Sequence, residues 1–350
     1  MQLIYHNVNR YDGNGEILIP SYHSFDGVKA GVGPLASPHA NPQGPGDARP
    51  IALQIVKDND LLGKSQGKVA LVTALKAAGV HVFGAVCNLP KAAEALKDDI
   101  EPGKLELLEL DMNSPDSVRE CAAQLLAKSD KLNILVTNAG IMMPPEGRTK
   151  DGFESQFGTN HLAHFLLFQL LKPALLTSAT PDFGSRIVCL SSVGHRGGEI
   201  QFDNLNWEGN YDPVAAHAQS KLASVYMANE IERHYGSKNL HAWSVMPGGI
   251  WTGLQASLPQ VVVDQWKSDA AFQAAFKSPE QGAATSVWAA IGKDLEGQGG
   301  KYLEDCAIAG PATDASNLGL PGYAPWAFDE EKEGRLWKVS SEMVGIDAEE

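Results

Sequence analysis

The chain has 350 residues, 43% of them hydrophobic and 20% charged, enough apolar material for one large packed domain. Asp and Glu number 42 against 28 Lys and Arg, a formal net charge of -14 with no basic run, which excludes the clustered cations that a nucleic-acid partner requires. Cys87, Cys121, Cys189 and Cys306 are far apart and form no CxxC pair, so neither a disulfide framework nor a metal site is expected, and a reducing cytoplasmic location is.

The opening MQLIYHNVNR lacks the basic segment and apolar core of a signal peptide, and residues 1–50, rich in Gly, Pro, Asn and His, read as a loosely ordered extension. The first regular pattern is KVALVTALKAAGVHVFGAV, Lys68 to Val86, which holds two apolar β-branched runs. Both look like buried parallel strands, yet only ALKAAG, residues 74–79, is available to join them. Neighbouring parallel strands ordinarily need a crossover of about a dozen residues or more. The first βαβ unit is therefore truncated.

Strand and helix signals then alternate. LELLELDM (105–112) reads as a strand, and 114–130 as a helix with Ser114 as N-cap and Pro115 at its first position. The strand LNILVT (132–137) precedes a long helix through residues 153–171. Its densest apolar stretch, HFLLFQLL, stops at Lys172 and Pro173 and is too short to span a bilayer. SRIVCLSS (185–192), a helix over about 214–235, LHAWSVMP (240–247), a helix after Ser278 and Pro279, and the strand GKYLEDCAI (300–308) follow. Apolar strands separated by helices predict one doubly wound, parallel-sheet α/β domain over residues 51–310. A tail, 311–350, carries one more helix, DEEKEGRLWKVSSEMVG.

In such sheets ligands bind beyond the carboxyl ends of the strands. There stand Asp111, then Asn138, Ala139 and Gly140, then Ser191 and Ser192, then Pro247, Gly248 and Gly249. Polar or glycine-rich residues at four successive strand ends predict a cleft. Ser191 and Ser192 are neighbours at a strand end and point to opposite faces, so only one should reach it.

The segments TNAGIMMPPEGRTKDGFESQFGTNHLAHF, AQSKLASVYMANE and PGGIWTGL, in this order, resemble the short-chain dehydrogenase/reductase family, more narrowly its retinol-dehydrogenase-like and WW-domain-oxidoreductase-like branch. The likeness runs from about Asp47 to Gly345. It implies a Rossmann fold and hydride transfer between NAD or NADP and a small apolar alcohol or carbonyl substrate. By resemblance, Asn160, Ser192 and Lys221 match the Asn, Ser and Lys of the family's catalytic tetrad. The tyrosine, the proton carrier, is replaced by His217, four residues before Lys221 on the same helix face. A lysine cation beside it favours the neutral imidazole, and Tyr211 lies too far upstream to substitute.

The family's cofactor contacts map onto Asp111 near the adenine, and onto Asn138, Ala139, Gly140, Lys221, Pro247, Gly248, Ile250 and Thr252 near the nicotinamide. After the first strand this family carries TGxxxGxG and a helix whose N-terminus holds the pyrophosphate. Here Thr73 is followed at once by Ala74, and the phosphate-binding turn is missing. Losing two or three charge-assisted bonds of about 1.5–3 kcal/mol each weakens a dinucleotide by several powers of ten. Cys87 stands where an arginine often binds the 2′-phosphate, so the choice between NAD and NADP stays open. Residues 250–277 resemble the segment that covers the substrate, and helices over 152–177 and 214–235 the pair that commonly joins subunits into a homo-oligomer. Two alternatives remain beside an active reductase: a cofactor-poor pseudoenzyme used for binding, assembly or cofactor-free catalysis, and a coding segment omitted between codons 73 and 74.

Overall fold

The computed structural model describes residues 37–71, 78–96 and 103–347. Helix α1 (Ala52–Asp58) leads into β1 (Val69–Leu71), followed by β2 (His81–Val86), α2 (Leu89–Ala95), β3 (Leu105–Glu109), α3 (Pro115–Lys128) and β4 (Ile134–Thr137). A single turn, α4 (Ser155–Phe157), passes through a π-helical turn at Gly158–Leu162 into α5 (Ala163–Ser178). Then come β5 (Ser185–Leu190), α6 (Pro213–Tyr235), β6 (Leu240–Met246), α7 (Gln260–Ser268), α8 (Ala270–Ala275), α9 (Pro279–Gly282), α10 (Ala284–Ile291), β7 (Lys301–Glu304), β8 (Ala307–Ile308) and α11 (Glu330–Val344).

The strands form one sheet in the order β3-β2-β1-β4-β5-β6-β7-β8, parallel except for β8. Every residue of β4, β5 and β6 is buried, as sequences such as ILVT and SRIVCL require of strands covered on both faces. On one face Phe83, Leu108, Leu125, Phe165, Phe168 and Leu222 join strands to α3, α5 and α6. On the other, Trp243 and Val188 pack with Val287 and Trp288 of α10.

β1 and β2 pair in parallel, Val69 opposite His81 and Leu71 opposite Phe83, with only residues 72–80 between them. Nine residues make about 14 Å of helix at most, too little for a phosphate-binding turn and a full crossover helix together. The Thr73–Ala74 junction itself lies outside the described residues. Apolar cover for this part of the sheet comes from upstream: Ile55 and Val56 of α1 share a core cluster with Ala70, Ala78, Val80 and Val82.

One element departs from the sequence-based expectation. GKYLEDCAI is two antiparallel strands, because Asp305 and Cys306 both adopt positive φ (53° and 54°) and reverse the chain in a two-residue turn. Of the loosely ordered extension expected over residues 1–50, residues 1–36 lie outside the described residues; near its downstream end Arg49 is buried. α11 packs against α5 and α6, the helices expected to join subunits. Trp337 meets Phe165 edge-on at 4.9 Å, Nδ2 of Asn229 donates to Glu333 Oε1 at 2.6 Å, and His161 Nε2 is 2.8 Å from Ser340 Oγ.

Candidate active site

The carboxyl ends of β4, β5 and β6 open into a cavity of about 710 Å³. One wall comes from Asn138 to Met143 after β4, another from Ser191 and Ser192 after β5, and a third from Pro247 to Ile250 after β6. His217 and Lys221 of α6 form its polar floor. The four strand-end clusters were expected to meet in one cleft; three do. Asp111 does not line the cavity: its carboxylate pairs with Lys150 at 3.0 Å and accepts from Asn113 N at 3.0 Å.

Asn160 sits in the π-turn, buried against the floor. Its Oδ1 accepts from Ile141 N at 2.8 Å, while Nδ2 donates to Ile141 O at 2.9 Å and Ser220 Oγ at 3.0 Å. One amide thereby ties the loop after β4 to α6. A Cβ at Gly140 would come within 2.9 Å of that same Oδ1, so the loop needs glycine there. Only one serine was expected to reach the cleft, yet both line it; their hydroxyls differ in what they bond. Ser191 Oγ turns inward and donates to Lys221 O at 2.8 Å; Ser192 Oγ accepts from Gly194 N at 3.0 Å, keeping its O–H to donate.

Lys221 is 7% exposed and its Nζ donates to Leu190 O at 3.1 Å. Burial pulls its pKa down to about 8. His217, 2% exposed, is pushed down to about 3 by burial first and by the Lys221 charge second; the Ile141 carbonyl beside the ring favours the cation without overcoming them. Its Nδ1 lies 3.2 Å from Gln156 Oε1, which already accepts from Met143 N at 2.9 Å. The imidazole Nδ1 is therefore the donor, and Nε2 of the neutral ring carries no proton. Gln156 Nε2 completes the network with Pro213 O at 2.8 Å and Tyr211 Oη at 3.2 Å. Tyr211 in turn donates to Pro144 O at 2.9 Å and is held outside the cavity wall.

The roof comes from residues 250–277. Trp251 stacks on Phe276 at 4.8 Å, and Phe276, Phe272 and Trp266 succeed one another at 4.9 Å steps, in an apolar cluster shared with Met142 and Met143. Gln156 and these aromatic side chains were not singled out by the sequence. Their spacing is that of any amphipathic segment, and only the fold brings Trp266, Phe272 and Phe276 to the cavity, with Trp251 stacked behind Phe276 and Gln156 behind His217.

The residues present fit one end of a nicotinamide dinucleotide. Asn138, Ala139, Gly140, Lys221, Pro247, Gly248, Ile250 and Thr252 all line the cavity, and Gly248 has the positive φ (103°) that keeps its backbone open there. The pyrophosphate would lie at the β1–β2 connection, of which residues 72–77 are outside the described residues. Lys221 is the single cationic side chain among the described lining residues, and nine residues join β1 to β2.

A family profile described as enoyl-(acyl carrier protein) reductase matches residues 69–292. The short-chain dehydrogenase/reductase prx1 of Penicillium roqueforti is 49% identical over 315 residues, 87% of this chain and 92% of the relative. The chain belongs to the short-chain dehydrogenase/reductase family. Its fold and family are those of NAD(P)-dependent oxidoreductases. Retinol dehydrogenase 12 of Mus musculus is 34% identical over 271 residues, covering 77% of this chain and 79% of that one. Among solved structures, an uncharacterised protein of Mycobacterium paratuberculosis superposes with a TM-score of 0.60 at 28% identity, over 83% of this chain and 98% of its own. Among the described residues no helix is long and apolar enough to cross a membrane, and no group of His, Cys, Asp and Glu could hold a metal ion.

Proposed function

We propose that this chain binds a small apolar alcohol or carbonyl compound in the cavity between its strand ends and its aromatic roof, and handles the proton of a hydride-transfer reaction with Ser192, His217, Lys221 and Asn160. The observation that carries this reading is that Ser192, His217 and Lys221 line one cavity with the aromatic side chains Trp266, Phe272 and Phe276, while Asn160 stands behind it, bonded to Ile141 and to Ser220 of α6. Retinol dehydrogenases among the relatives support an apolar alcohol as substrate. A nicotinamide, NAD or NADP, when bound supplies or takes the hydride.

The chain's own groups do the rest. Ser192 offers its hydroxyl hydrogen to the substrate oxygen. Asn160 fixes the Ile141 backbone and the start of α6, so the loop after β4 keeps its distance from His217. Neutral His217 accepts a proton at Nε2 when an alcohol is oxidised, but has none there to give when a carbonyl is reduced. Lys221, buried with one carbonyl partner, keeps a positive field behind the ring. Proton handling is therefore impaired relative to a phenol, most of all in the reducing direction.

The second reading, a cofactor-poor binding protein, is favoured by the short β1–β2 connection, which supports dinucleotide binding through its nicotinamide end alone and hence weakly. We further infer that α11, by covering α5 and α6, leaves the chain monomeric on that face, and that it works in the cytoplasm. Measuring NADPH-dependent reduction of an apolar aldehyde, alongside aldehyde binding without cofactor, separates the two readings: turnover supports the reductase, binding without turnover the binding protein.

A further inference from the structure

We infer that residues 44–49 form a strap that sets the aromatic wall of the cavity, with Arg49 as its positioning residue. The Arg49 side chain is 4% exposed, and each of its donor nitrogens is engaged. Nη1 donates to Ala275 O at 2.9 Å; Nη2 donates to Phe276 O at 2.5 Å, Ala274 O at 3.3 Å and Gly44 O at 3.1 Å; Nε donates to Asp47 Oδ1 at 2.9 Å. Three of these acceptors are consecutive carbonyls at the C-terminal end of α8, which have no partners within their own helix and carry its negative dipole end. A planar fork with five N–H groups suits four carbonyls and a carboxylate at once; a lysine, a point charge, does not.

The strap is held from its other side by Gln281, which is fully buried. Its Nε2 donates to Asp47 O at 3.1 Å and Arg49 O at 3.1 Å, while its Oε1 accepts from Gly46 N at 2.9 Å. Asp47 also accepts from Gln43 N at 2.8 Å; burial alone would raise its pKa, but Arg49 and these backbone donors hold it at about 2.

Phe276 carries the effect to the cavity. Its ring stacks on Trp251 and packs so closely on the turn after β6 that a Cβ at Gly249 would approach it to 2.9 Å. Just beyond, Lys277 N donates to Gly249 O at 2.8 Å. The position of the Phe276 ring, and with it the width of the apolar wall, follows from where its carbonyl is pinned. Residues upstream of the sheet therefore shape ligand affinity more than 200 residues away in sequence, and Arg49 tunes the cavity for apolar molecules. The inference rests on the reading that this cavity accepts an apolar molecule.

The test uses the full chain, the uncharged dye N-phenyl-1-naphthylamine as probe, and hydrogen exchange of the amides of residues 270–277. Arg49→Ala is expected to weaken dye binding about tenfold or more and to speed exchange at 270–277, with Arg49→Lys between it and the wild type. In a Phe276→Ala background Arg49→Ala is expected to cause no further loss, because it acts through that ring. A merely structural anchor would lower thermal stability and leave dye affinity untouched. Wild-type affinity and exchange in Arg49→Ala, or losses that add to those of Phe276→Ala, overturn the inference. Should Arg49→Ala fail to fold, Asp47→Asn decides: a smaller loss in the same direction supports the strap, and unchanged affinity and exchange refute it. If the wild type takes up no dye, the apolar-ligand reading fails, and the exchange comparison alone still decides whether Arg49 fixes the wall.

Discussion

Replacing His217 by tyrosine tests the proton-handling account directly. With its pKa near 3, the wild-type ring holds a second proton in only about one molecule in 10⁴ at pH 7. The neutral ring donates its single proton through Nδ1 to Gln156 Oε1, away from the reacting side. A phenol at this position keeps its proton at pH 7 and can release it, because the Lys221 cation four residues on stabilises the phenolate. Room exists for the longer side chain, since position 217 borders a cavity of about 710 Å³. A positioned general acid contributes about 10²–10⁴-fold, so His217→Tyr is expected to raise carbonyl reduction by that factor, about 3–5 kcal/mol of barrier. The assay is NADPH oxidation with an apolar aldehyde at several fixed cofactor concentrations, followed from pH 5 to 9. A variant that binds cofactor as the wild type does and shows no gain at any pH would refute the placement of residue 217 at the reacting centre.

Two further predictions concern stability. His161 and His195 are pushed down to about 3, and His164 to about 4, by burial, as His217 is. Each stays neutral when folded and protonates near pH 6.5 when unfolded. Their contribution is complete above pH 6.5 and is lost as pH falls from there toward 3, at about 1.4 kcal/mol per pH unit for each group. Urea midpoints are expected to be level from pH 7 to 8 and to drop steeply below pH 6; equal midpoints at pH 5 and 7 would contradict the buried neutral histidines. Trp337→Ala, which empties the seam between α11 and the pair α5 and α6, is expected to cost about 3–5 kcal/mol in chemical denaturation and to promote self-association through the uncovered helices, visible in sedimentation. A stable variant that stays monomeric would show that α11 is not what shields this face.

The sheet and its strand ends were legible because periodicity and strand-end chemistry are local signals, whereas Asn160, Ser192, His217 and Lys221 were picked out by resemblance to the family; the fold puts the last three in the cavity lining and Asn160 behind it. Gln156, Phe276 and Arg49 were not legible, since each acts through partners brought together only by the fold, with strands β1 to β6 between Arg49 and the Phe276 carbonyl in chain order. The turn at Asp305 and Cys306 was missed because Asp305, which tolerates positive φ, is followed by a cysteine instead of the glycine that marks such turns. Asp111 looked like a cleft residue by position alone; Lys150, remote in sequence, claims its carboxylate.

The reading with the widest consequence is that a chain with no TGxxxGxG after Thr73 holds a dinucleotide weakly, and fluorescence titration of the purified chain with NADPH tests it most directly. The account predicts saturable but weak binding, a Kd on the order of 1 mM, restored by about a thousandfold when a family-type TGxxxGxG turn and the rest of its crossover helix are inserted between Thr73 and Ala74. Micromolar binding by the chain as it stands would contradict it.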